Sequence, residues 1–218
     1  MRVAWLLVAL AGCPGPEDPA TPDGAMQPDS SVDAPDTTRL TIAWATVPVV
    51  PGTTAAGHRL DDVQLRMENL KATVDVDPTD PNTTQDEVKL QWTAEDAPES
   101  ITFAKAPAGR YTSIVLKLDE GDGEEAFEIR GRANDNDSFR FEDTASVSIS
   151  MSCNVMLAPG EHKTLTIEID LQTAVDAINI EALGAGEGFD HNLEADDEPV
   201  AMATFRAALQ QAFSVREE

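Results

Sequence analysis

Positive charge is scarce in this sequence: 15 Lys+Arg stand against 40 Asp+Glu, a formal net charge of −25 over 218 residues. A field of that sign repels phosphate backbones, which argues against nucleic-acid binding. Cysteine is nearly absent. Cys13 and Cys153 are the whole set, too few for a disulfide scaffold and without zinc-ligand spacing. The three histidines, His58, His162 and His191, lie far apart and form no His-Xaa-Xaa-Xaa-His pair. No apolar run reaches the about 20 residues of a membrane-spanning helix. Aromatics make up 5%. Trp44 and Trp92 fall on inward strand faces by period, which leaves few rings for an exposed sugar-stacking platform. There is no Gly-Xaa-Ser-Xaa-Gly elbow and no glycine-rich phosphate loop. Acids are so abundant that paired carboxylates alone do not indicate a glycosidase. Together these absences point to a protein that is not an enzyme, with an enzyme of unknown class as the weakest alternative.

What is present begins at the N-terminus. Met1-Arg2 precedes an uninterrupted apolar run from Val3 to Ala11, followed by Gly12 and Cys13. The run has the length of a signal-peptide core, roughly 7–15 residues. Leu10-Ala11-Gly12-Cys13 resembles the lipobox of bacterial lipoproteins. That resemblance implies a signal peptide over residues 1–12, cleavage before Cys13, and acylation of the Cys13 thiol and of the new amino terminus. More than one acyl chain makes anchoring stable, because a single chain is marginal. A plain signal peptide with a coincidental cysteine is the alternative. The implied location is the bacterial cell envelope, at the outer membrane or periplasmic face rather than in the cytoplasm. The implied partner is the membrane; the sequence names no protein or glycan partner.

Residues 14–37 contain Pro14, Pro16, Pro19, Pro22, Pro28 and Pro35 among six acids and no Lys or Arg. Such a segment buries too little apolar surface to offset its ordering entropy. Proline and like charge extend it, so residues 13–37 read as lipid anchor and disordered tether.

From Arg39 onward apolar residues alternate with period two, the pattern of half-buried strands. Leu40, Ile42 and Trp44 form one set, and Val63, Leu65 and Met67 another. The phase then slips, and Leu70, Ala72, Val74 and Val76 continue, which predicts a bulge. Further sets are Val88/Leu90/Trp92, Ile101/Phe103, Ile114/Leu116/Leu118, Phe127/Ile129, Phe139/Phe141, Val147 to Val155, and Leu165 to Leu171. In the Val147 set the serines 146, 148, 150 and 152 take the opposite face, and Cys153 shares the apolar one. The expected fold class is all-β: an antiparallel β-sandwich of about 8–9 strands over residues 38–190, with one C-terminal helix. Residues 191–218 read as an acidic loop and that helix. Pro199 suits the first helical position, and Ala201, Phe205, Leu209 and Phe213 recur every four residues. The stripe either packs on the sandwich or docks into a partner.

Ala106-Pro107-Ala108-Gly109-Arg110-Tyr111-Thr112-Ser113-Ile114 and Leu157-Ala158-Pro159-Gly160 with Thr164-Leu165-Thr166-Ile167 are two Pro/Gly turns feeding alternating strands. These motifs, over roughly Asp62 to Ile180, resemble secreted bacterial lipoprotein domains of unknown function that are similar to transthyretin-like sandwiches. The resemblance implies a fold and supplies no catalytic residues.

Acidic turns supply the candidate chemistry. Calcium takes six to eight hard oxygens, and clustered Asp and Asn on loops can provide them. Asp75, Asp77 and Asp80 form one candidate set, and Asn134, Asp135 and Asp137 another. Neither matches an EF-hand loop, and solvated charged turns between strands, which Asp and Asn favour, are the simpler account of both. A calcium-dependent or carbohydrate-binding adhesive module is therefore the alternative to a structural or binding module.

Overall fold

The computed structural model describes residues 38–121, 123–134 and 136–217. They form two β-sheets and two α-helices around one hydrophobic cluster, a sandwich-like arrangement. Cys13, the tether and Asp135 lie outside the described residues.

The smaller sheet has the order β12 (Phe213–Glu217), β10 (His162–Asp170), β1 (Arg39–Val47), β5 (Ile101–Phe103). Strand β1 runs parallel to β10, from Arg39 beside His162 to Val47 beside Asp170. Strand β5 is antiparallel to β1, and β12 is antiparallel to β10.

The larger sheet is built on β3 (Arg59–Val74), 16 residues long. One edge of β3 pairs with β2 (Gly52–Thr53) and β4 (Thr84–Trp92). Along its other edge β7 (Phe127–Arg132) takes the first half and β6 (Gly109–Leu118) the second. Beyond them β8 (Ser138–Asp143) pairs with β7, and β9 (Val147–Leu157) with β6. The pairs β6/β7 and β8/β9 are thus two long strands, each interrupted at the same level. Arg66 of β3 faces the first interruption: its amide donates to the Ala126 carbonyl, and its guanidinium meets Gly121, Glu87 and Glu124.

The alternation survives folding. Along β9, Val147, Ile149, Met151, Val155 and Leu157 are buried while Ser148, Ser150 and Ser152 are exposed. Cys153 is half-buried, at the point where the β6–β9 register shifts between Tyr111 and Ser113. The phase slip after Met67 is a bulge: the β3–β6 register shifts between Glu68 and Lys71, and Asn69 takes φ 55°. An asparagine tolerates that left-handed backbone better than a branched residue would. Trp92 is buried, and Trp44 packs partly buried against the cluster.

Three expectations need correction. The sheets are mixed, not strictly antiparallel: β1 is parallel to β10, and β11 (His191–Leu193) is parallel to β8. Alternation reports which face is buried and carries no information on partner direction. Among the described residues twelve strands form where about 8–9 were expected: β2 and β11 have three residues or fewer and show no period, and β12 (Phe213–Glu217) begins at a residue that the sequence placed on the helical stripe. Among the described residues there are two α-helices where one was expected. Helix α1 (Leu171–Asp176) begins where Leu171 seemed to end a strand: the Asp170 side chain accepts from the Thr173 amide at 2.9 Å and caps it. Helix α2 (Pro199–Gln211) begins at Pro199 as expected and buries Met202, Phe205 and Leu209. Phe213 continues the stripe as the first residue of β12. Among the described residues no helix is long and apolar enough to cross a membrane.

Candidate functional site

The densest charge network lies on the outer face of β7, β8 and β11. Register sets it out in rows: Arg130 lies beside Arg140, and Arg140 beside Asn192; Glu128 lies beside Glu142. Arg140 is the centre, with only 8% of its side chain exposed. Its Nη2 contacts Glu142 at 2.8 Å, Glu187 at 2.9 Å and Glu194 at 3.0 Å, and its Nε donates to Asn192 at 3.2 Å. The Asn192 amide donates to Glu194 in turn. The Phe189 ring lies 5.2 Å from the guanidinium carbon, a cation–π distance.

A tight turn makes this possible. Gly186 and Phe189 exchange backbone hydrogen bonds of 2.9 and 3.2 Å, with Glu187 at φ 48° and Gly188 at φ 90°. Two successive left-handed residues favour glycine, and Gly188 supplies one. A Cβ on Gly186 would come within 2.8 Å of the Asn192 side chain, so glycine also allows the close approach. The turn sets Glu187 and Phe189 over Arg140.

Beside the cluster is an open recess of about 190 Å³, lined by Glu125, Glu142, Asp143, Thr144, Glu194, Ala195 and Asp196. Burial, with Glu194 and Glu125 adding repulsion, pushes Glu142 up to about 7 against the pull of Arg140. Burial disfavours the Arg140 charge, but the Glu187 hydrogen bond and the three carboxylates outweigh it and raise its pKa. On the far side of the recess, Asp143 is 2% exposed and held by a fork from Arg206 of α2, at 2.5 and 2.7 Å.

The Glu142, Glu187 and Glu194 oxygens lie within 4.8 Å of one another. The Arg140 guanidinium already lies within 3.0 Å of all three, so it is the cation of this cluster and they are not assigned as metal ligands.

The residues singled out from sequence lie in other parts of the fold. Asp77 accepts from the Thr79 amide and hydroxyl, which lowers its pKa; Asp80 accepts from Asn82, and Asp75 from the Arg110 amide. Each carboxylate is engaged in a local turn or strand contact, and the three form no common cluster of the kind seen at Glu142. Asp137 comes within 4.0 Å of His191 Nε2, and Asn134 lies against Gly57. His58 is buried edge-on to Phe139, and His162 pairs with Arg39 at the start of β10. Burial pushes the Cys153 thiol up. The Arg140 cluster was not singled out in sequence. The alternation Phe139-Arg140-Phe141-Glu142 marks Arg140 and Glu142 as one face, but nothing local connects them with Glu187 or Glu194.

Comparison with protein-family models, characterised proteins and solved structures returns no match.

Proposed function

We propose that the chain is a lipid-anchored envelope protein. Its residues from 38 onward act as a non-catalytic structural or binding module held off a bacterial membrane by an acidic tether. The observation that carries this reading is Leu10-Ala11-Gly12-Cys13 at the end of a short apolar run. The proline- and acid-rich residues 14–37 support it, and so does the start of β1 at Arg39, directly after them. Residues 38–218 carry 34 acidic against 14 basic side chains. That excess keeps a domain soluble and off anionic lipid, so membrane attachment falls to the anchor. Likeness to secreted transthyretin-like domains belongs to the same proposal. Metabolic labelling with palmitate tests it: label in the wild type and none in Cys13→Ala is expected, and an unlabelled wild type overturns the reading.

A further inference from the structure

Residues 184–198 cross the outer edge of β8 with little regular structure: three residues of β11 and the turn that carries Phe189. Their side-chain ties to β8 are of two kinds: at its start Asp190 accepts from the Ser138 amide and hydroxyl at 2.8 and 2.7 Å, and further along Asn192, Glu187, Glu194 and Phe189 converge on Arg140. We propose that this segment is a pH-operated strap. It is tightest while Glu142 carries a proton, and it loosens when Glu142 is ionised, uncovering the edge of β8.

Glu142, Glu187 and Glu194 meet one guanidinium, leaving two negative charges in excess in a half-dehydrated place. Other groups around Glu142 add to that excess. Glu125 faces it from the segment between β6 and β7, and Asp196 lines the same recess from the strap. Glu128 is its neighbour on β7 but is satisfied by Arg130, at 2.7 Å. Arg206, the nearest cation of α2, is engaged by Asp143. Close carboxylates relieve such repulsion by holding a proton between them. Glu142 is the least exposed of the three, at 14% against 66% for Glu187 and 27% for Glu194, so the proton resides mainly there.

The sign follows. The docked strap binds this proton more tightly than the open one, whose Glu142 faces water and titrates in the ordinary glutamate range. The strap is held most firmly at acid pH, and its hold is lost as pH rises to about 7. None of this depends on the N-terminal anchor, so failure of the lipid reading leaves it standing.

Hydrogen exchange of the full chain tests it, read by mass spectrometry on peptides over 184–198 and corrected for the intrinsic pH dependence of exchange. The opening constant is expected to rise by up to about tenfold per pH unit between about pH 5 and about pH 7, then level off, while β1 and β10 peptides do not follow. Glu142→Gln, a neutral isostere, should abolish the dependence and keep the strap protected at about pH 8. A pH-independent wild-type strap, or a Glu142→Gln protein with the wild-type profile, overturns the proposal. Carboxyl carbon-13 NMR of the unsubstituted chain is the second measurement. A Glu142 resonance titrating near neutrality supports the strap, and one titrating in the ordinary glutamate range defeats it.

Discussion

Phe205→Ala separates the two roles open to helix α2, covering the sandwich or docking into a partner. The Phe205 side chain is fully buried, with its ring 5.3 Å from that of Phe127 and 5.2 Å from that of Phe141. Burying a phenylalanine contributes about 1.5–3 kcal/mol from transfer alone. Each of the two ring contacts adds about 0.5–1.5 kcal/mol. The neighbours sit on β7 and β8, whose backbones are fixed by ladders on both sides, so they cannot collapse fully into the space left behind. The expected loss is about 3–5 kcal/mol. For a domain of this size that lowers Tm by about 2–4 °C per kcal/mol. Urea denaturation followed by tryptophan fluorescence, together with calorimetry, measures it. Val200→Ala on the same helix, at a side chain 81% exposed, is the control and should stay within about 0.5 kcal/mol. A Phe205→Ala loss below about 1 kcal/mol would show that α2 is not an integral part of the core and refute the packing argument.

Three further outcomes are expected. Arg206→Ala leaves the Asp143 carboxylate, 2% exposed, with the Ala145 amide as donor and no counter-charge; it should cost about 2 kcal/mol, and a double-mutant cycle with Asp143→Asn should show a coupling of about 1–3 kcal/mol, whereas additive effects would show that the fork contributes nothing. Asn69→Val forces a branched side chain into the left-handed backbone of the β3 bulge and should cost about 1–2 kcal/mol, against about zero for Asn69→Gly; equal chemical-denaturation midpoints for the two would remove the conformational explanation. The Cys153 thiol, half-buried and raised in pKa by that burial, should react with iodoacetamide far more slowly in the native protein than in urea at the same pH, and comparable rates would place it on the open surface.

Much of the local structure was legible in the sequence. The inward sets of β3, β4, β6, β9 and β10 follow the period-two pattern closely, because an extended backbone turns alternate side chains to opposite faces whatever its partner is. The slip between Met67 and Leu70 marked the Asn69 bulge for the same reason, since one extra residue must reverse the phase. Pro199 marked the start of α2, where a missing amide hydrogen costs nothing. Leu171 misled because an apolar residue after an alternating run fits either a further strand position or the first turn of a helix, and only the Asp170 cap decided between them.

The candidate site was far less legible. Among the acidic residues chosen from sequence, Asp77 and Asp80 close turns that short polar side chains form by themselves. The network that does assemble draws Glu187 and Glu194 to Arg140 from 47 and 54 residues away. No spacing rule connects such positions.

The sequence by itself determined the acidic character, the strand faces, the bulge and the C-terminal helix, because each is a property of neighbouring residues and a fixed backbone period. The tertiary structure alone decided that β1 lies parallel to β10, that β6 and β7 share one edge of β3, and that one buried guanidinium gathers three carboxylates. Those outcomes depend on which partner each edge finds when the whole chain closes on a single core, a choice that no local pattern encodes.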